Sequence, residues 1–297
     1  MIDVYSKLGL DELGIDKTKF RDKDKQSISL GMRLEDNAVS FLQTKFIDKE
    51  NYEYFESQFA QAISGDGNEL IKMDAVKSSS LCSLLFFYNV QDKPGYRLTI
   101  NGVTYTKSYF EYKNKVYRNP SNMDVVLANN DGDILFVECK FSEYLEHDKP
   151  YISSTYFTNS KSSRLMNEML DKKILNECKK DHYYALFDKK PIYTTGLKQI
   201  VAHYVGVNNF IKKNYCSGEY GDDRDSIKEI KDQKVRFIEV VFDLGDELSA
   251  YRKASDILIK DIINNPEVFF TTKTYQEILE DNPNYKLDKN VKAYYKY

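Results

Sequence analysis

The chain has 297 residues, a net charge of −3 and a hydrophobic fraction of 41%, long enough for one large domain with a substantial core. No run approaches the roughly 18 apolar residues that a membrane-spanning helix needs, the N-terminus has no signal-peptide apolar segment, and Cys82, Cys139, Cys178 and Cys216 lack zinc-ligand spacing. The sequence therefore argues against a membrane helix and against a zinc or disulfide framework, and a cytoplasmic protein with reduced thiols is expected; the mild acidity does not favour a polyanion partner, although a local basic groove can sit on an acidic protein.

In chain order, Leu30, Leu34, Ala38, Phe41 and Leu42 recur at helical spacing and predict a helix over 28–47. A second helix is expected over 52–63, closed by the turn at 64–68, and a third over 70–89. After Pro94-Gly95 the period changes: 96–100, 103–112 and 115–118 read as strands, with Asn101-Gly102 as a hairpin turn. The clearest hairpin joins the apolar runs 124–128 and 134–141 through Asn129-Asn130-Asp131-Gly132-Asp133. Helices are expected at about 161–178 and 195–213, an exposed acidic loop at 217–226, a strand at 235–243 and a helix at 246–263. The polar tail from 282 is expected to be only partly ordered. These elements predict an α/β fold: a mixed central sheet of about four or five strands flanked by helices, with additional C-terminal helices. Residues 1–297 are expected to form a single domain, its core about 28–215, a C-terminal strand and helices 230–281, and a tail 282–297.

Side chains alternate faces along a strand. Over 134–141, Glu138 and Lys140 share a face with Ile134 and Phe136, so the strand runs from a core into a polar pocket. Across the hairpin, Asp124 opens an apolar run and is placed beside Glu138. Two carboxylates suit a hard divalent cation, the backbone carbonyl of Cys139 is available as a further ligand, and a neighbouring lysine can orient the attacking water or hold a phosphate oxygen. On the predicted first helix Glu35 falls on the apolar face, where a carboxylate needs a partner, whether a cation or a salt bridge. The other reading of Glu-x-Lys is a solvated ion pair on a sheet surface.

Residues 119–124 (Asn-Pro-Ser-Asn-Met-Asp) followed by Ile134-Leu-Phe-Val-Glu138-Cys-Lys140 resemble the core motif of the PD-(D/E)XK nuclease superfamily, the restriction-endonuclease-like fold; Met123 stands where the eponymous proline would be. The resemblance covers roughly residues 28–145. It implies a Mg²⁺-dependent nuclease, with Mn²⁺ able to substitute, that hydrolyses phosphodiesters in nucleic acid, DNA being the expected substrate. Asp124, Glu138, the Cys139 carbonyl and Glu35 would then hold metal, and Lys140 would serve the nucleophilic water. No membrane partner is expected, and a homodimer is compatible with one site per chain. The alternative on the same fold is a non-catalytic nucleic-acid-binding or defence-system subunit. On the later helix, Gln199 and His203 lie on the flank of the buried stripe. They are candidate phosphate contacts, or a half-solvated helix flank. Ser78–Ser80 lack any nucleophile-elbow context, and no Lys-Ser/Thr follows Gly65-Asp-Gly67 to make a phosphate loop.

Overall fold

The computed structural model describes residues 4–19, 27–32, 37–65, 68–116, 120–145, 167, 199–245 and 248–297, and only the backbone of 152–153, 175–179, 182–187, 190–191 and 194–198. Among the described residues four α-helices precede the strands. In α1 (Ala38–Phe46) the buried Ala38, Leu42 and Phe46 form one stripe, as Phe55, Phe59 and Ala62 do in α2 (Tyr52–Ala62). The first helix is shorter than expected. Residues 28–32 are not helical: Ser29 is bridged to Ala75 and Gly31 stands at φ +83°, a conformation no helix accommodates.

The expected third helix is two: α3 (Glu69–Met73) and α4 (Ser79–Phe87). The Ser78 hydroxyl accepts the Leu81 N–H at 3.1 Å and caps α4 afresh. Leu81 to Phe87 are buried on every side, so no amphipathic stripe was there to read.

Strands β1 (Leu98–Ile100) and β2 (Val103–Tyr105) form the expected hairpin, with Asn101 and Gly102 both at positive φ. The central sheet is built from β3 (Lys107–Asn114), β4 (Ser121–Ala128) and β5 (Asp133–Lys140). At the β4–β5 turn the Asn129 side chain accepts the N–H groups of Asp131 (2.9 Å) and Asp133 (3.0 Å). Gly132 turns at φ +92°, where a Cβ would stand 2.7 Å from the Asp232 carbonyl oxygen. Gly132→Ala is expected to cost about 2 kcal/mol or more, read as a lowered urea midpoint.

Short strands β6 (Ile152–Ser153), β7 (Leu175–Lys179), β8 (His182–Phe187) and β9 (Lys190–Pro191) make a separate small sheet. The helix expected at 161–178 is therefore replaced over 175–179 by a strand, which pairs antiparallel with the next strand, β8, as a local hairpin. Most of the rest of that segment lies outside the described residues.

Helix α5 (Thr194–Ile211) and β10 (Lys234–Val241) follow as expected. After α6 (Leu248–Asp256), which continues as a π-helical turn over Ile257–Ile263, come β11 (Lys273–Thr274), α7 (Tyr275–Asp281) and α8 (Lys289–Tyr295). The protein is thus an α/β protein with a five-stranded mixed sheet, order β11-β10-β5-β4-β3, packed against helices and followed by C-terminal helices. Strands β3, β4 and β5 are antiparallel neighbours, whereas β10 lies parallel to β5. The connection from β5 to β10 carries α5 across the sheet.

Each face of the sheet has its own apolar cluster. Leu135, Val137 and Cys139 of β5 pack with α1, α2, α4 and α8, while Ile134 and Phe136 pack with α5 and the turn at 257–263. The tail is ordered, contrary to expectation. Val291, Tyr294 and Tyr295 are buried, and the Asp288 carboxylate accepts hydrogen bonds from Tyr88, Asn51 and the Asp48 N–H. Among the described residues no helix is long and apolar enough to cross a membrane.

Candidate active site

The β4–β5 ladder pairs Val125 with Val137, so the next cross-strand position sets Asp124 opposite Glu138. Alternation along β5 puts Glu138 and Lys140 on the face of Ile134 and Phe136, as the sequence implies, but at the end where the apolar cluster gives way to a cavity of about 430 Å³. Helices wall it on both sides: α3 and α4 contribute Glu69, Lys72, Ser79 and Ser80, and α5 contributes Gln199, Ala202 and His203.

Glu138 is only 1% exposed and Lys140 5%, so this Glu-x-Lys is no solvated ion pair. The Lys140 ammonium bonds Glu138 Oε1, and His203 Nε2 lies 2.7 Å from Oε2. The other ring nitrogen of His203 lies 2.5 Å from Ser121 Oγ. His203 is therefore buried, not a half-solvated flank residue, because both its nitrogens have partners inside the fold. Gln199 lines the cavity and is partly exposed.

Asp124 Oδ2 accepts the Cys139 N–H at 2.7 Å. Lys140 O accepts from Phe242 N on the β10 side (2.9 Å), so alternation along β5 turns the Cys139 N–H and carbonyl the other way, toward β4 and Asp124. Glu35 lies outside the described residues.

The two carboxylates are electrostatically unlike. Burial raises the Asp124 pKa well above the usual carboxylate range, and the charges of Glu138 and Glu111 add to the rise while Lys140 opposes it. Burial also works against ionised Glu138, but Lys140 and His203 outweigh it and hold that carboxyl at about 2. Burial likewise disfavours the Lys140 ammonium, yet Glu138, Asp124 and Glu143 raise its pKa above the ordinary value. At neutral pH the site thus holds a firmly ionised Glu138–Lys140 pair beside a carboxylate that lacks comparable compensation.

Several cavity residues were not read from the sequence. Glu111, buried in β3 at φ +52°, stands across from Asp124, and the ladder pairs flank both without including them. The kink resets alternation: Tyr109 and Tyr112 both reach the same apolar cluster. A lone acid within Tyr109-Phe-Glu-Tyr112 was the available signal. Glu69 is buried at the start of α3, bonded to Lys72 (2.5 Å) and Ser80 (3.1 Å); nothing in its local sequence marked it. One strand further, buried Glu239 is the ladder partner of Glu138. Glu111, Asp124, Glu138 and Glu239 thus form a row across four adjacent strands.

Among the described residues no three His, Cys, Asp or Glu side chains converge as a ready-made cation cage. A Mg²⁺ site needs less, because this ion keeps several waters and is commonly bound through one or two carboxylates. Asp124, Glu138 and the Cys139 carbonyl fit that donor set. No protein-family model, curated protein or solved structure matches the chain.

Proposed function

We propose that the protein is a Mg²⁺-dependent nuclease of the PD-(D/E)XK type, with a restriction-endonuclease-like fold. The observation that carries this reading is the buried Glu138–Lys140 pair set opposite Asp124 at the end of two antiparallel strands, inside one cavity. The order helix, three antiparallel strands, helix, parallel strand supports it as fold-level analogy. Glu69, buried on the cavity wall, is a candidate for the helix acid.

Asp124, Glu138 and the Cys139 carbonyl would hold the ion, which when bound supplies positive charge opposite the phosphorane-like transition state and acidifies water. Lys140 orients the attacking water. Glu138 is kept in place by Lys140 on one oxygen and His203 on the other, and Ser121 fixes the His203 ring. Water adds to phosphorus and the bond to the 3′-oxygen breaks, leaving a 5′-phosphate and, after proton transfer to the leaving oxygen, a 3′-hydroxyl. Gln199, on the cavity wall, would meet a phosphate oxygen. DNA is the expected substrate.

A second reading rests on the Ser121–His203–Glu138 series, whose spacings of 2.5 and 2.7 Å match a nucleophile, base and acid. Here serine meets Nδ1 and the acid Nε2, the reverse of the protease arrangement. The first reading is preferred because this one leaves Asp124 and Lys140 without a task.

Both are tested by incubating wild type, Lys140→Ala and Ser121→Ala with plasmid and labelled oligonucleotides in Mg²⁺ or Mn²⁺, with an EDTA control. The expected result is cleavage that EDTA abolishes, reduced at least about 10²-fold in Lys140→Ala and retained in Ser121→Ala. Hydrolysis of a model ester indifferent to EDTA and lost in Ser121→Ala would favour the serine series. A folded wild type that cuts nothing and shows no Mn²⁺ binding by calorimetry would favour a non-catalytic subunit.

A further inference from the structure

The shape and charge of the cavity bear on what kind of polynucleotide reaches the site, an inference that rests on the nuclease reading. Attack at phosphorus requires the scissile phosphate to come up against Asp124 and Glu138. Glu138 and Lys140 are almost wholly buried, so the phosphate must descend into the cavity and take its nucleotide along. At about 430 Å³ the space lies near the lower end of the roughly 300–1,000 Å³ typical of pockets that enclose one small organic molecule. That is room for about one nucleotide. A duplex sets its two backbones about 6–12 Å apart across its grooves, more than a space of this size encloses.

Charge points the same way. Among the described residues five carboxylates line the cavity, those of Glu69, Glu111, Asp124, Glu138 and Glu143, against two lysines. Both lysines are already engaged, Lys72 with Glu69 and Lys140 with Glu138. Duplex binding draws much of its affinity from several basic contacts to flanking phosphates. Among the described residues this cavity offers acids at the corresponding places. A substrate that brings one phosphate at a time is therefore favoured over one that presses two charged backbones against the rim.

We infer that the site acts on single-stranded polynucleotide, a free strand or an unpaired end threaded into the cavity one nucleotide at a time, and not on intact duplex.

The test uses a labelled single strand, a blunt duplex of the same sequence and a duplex with an unpaired overhang. Wild-type cleavage is followed in Mn²⁺, and binding is read by fluorescence anisotropy with Lys140→Met. The single strand should bind and be cut at least about tenfold better than the blunt duplex, and the third substrate should be cut only in its overhang. Ala202→Phe, which fills the cavity from the α5 side, should lose single-strand binding by a similar factor; Ala202→Leu serves if the larger residue prevents folding. Equal binding and cleavage of blunt duplex would overturn the inference, as would an Ala202 variant that folds and binds single strands normally. Bis(p-nitrophenyl) phosphate separates this failure from failure of the nuclease reading. Its Mn²⁺-dependent hydrolysis, lost in Lys140→Met, keeps the nuclease even if the strand preference is wrong. If neither the ester nor any strand is cut, both fall together.

Discussion

In EDTA, Asp124→Asn is expected to be more stable than wild type by about 1–2 kcal/mol, and Glu138→Gln less stable by about 3 kcal/mol. The opposite signs follow from the two environments. Ionised Asp124 is disfavoured first by burial and then by Glu138 and Glu111. An asparagine keeps an oxygen for the Cys139 N–H and removes the charge, the pattern expected where function has been favoured over stability. Glu138 is the counter-charge of a buried ammonium and the partner of a buried imidazole. Neutralising it strands both, and removing one partner of a buried pair typically costs about 3–5 kcal/mol; nearby Asp124 offsets part of that.

Adding Mn²⁺ should separate a metal site from an acidic core. A ligand that binds only the folded state stabilises it by RT ln(1 + [L]/Kd), so the wild-type urea midpoint should rise with metal while both variants stay flat. If Asp124→Asn is destabilised in EDTA, or if the wild type ignores Mn²⁺, the metal-site reading does not survive. Magnesium should act in the same direction as manganese.

The sequence made the hairpin and its faces legible because both depend on local rules. Asn129 and Gly132 specify the turn, and strict alternation places Glu138 and Lys140 together. That Glu138 and Lys140 are buried was less accessible: it depends on α4 and α5 closing over the strand end, a non-local event. Glu111 was hidden by its positive φ, which shifts the alternation that would have been counted. Glu69 was hidden by the split between α3 and α4, which Ser78 imposes through a single side-chain cap. The helix predicted over 28–47 does not reach back to Gly31, whose backbone is left-handed. His203 was recognised as a polar residue near a buried stripe, but its partner lies 65 residues away on β5, and no periodicity reports such a contact. The ordering of the C-terminal tail likewise depends on Asp288 meeting Tyr88 and Asn51, far upstream.

Glu239 yields the other large effect, and it is visible only as a function of pH. Its carboxylate is fully buried, accepts Tyr251 OH at 2.6 Å and Thr272 Oγ1 at 3.2 Å, and sits one strand from Glu138. Burial raises its pKa from the ordinary 4.5 to about 7; Glu138 adds to the rise, while the Tyr251 hydroxyl, Lys140 and Thr272 oppose it. The folded state therefore holds this proton more tightly than the unfolded chain does. Stability from the protonated form is fully present below about pH 4.5 and is lost as pH rises through about 7. A difference of that size corresponds to about 3 kcal/mol.

Glu239→Gln keeps an acceptor for Tyr251 and gains an amide donor for Thr272, which also pairs with Ser255 (2.7 Å). The variant should match wild type near pH 4.5 and exceed it by about 3 kcal/mol at pH 8, measured by urea denaturation across the range. Groups with lowered pKa, such as Glu138 at about 2 and Glu277, change stability at lower pH and cancel in the comparison. A constant offset between the two proteins at every pH would mean that Glu239 does not titrate in this window. A variant destabilised throughout would mean that the hydrogen bonds of the carboxylate outweigh the cost of burying its charge.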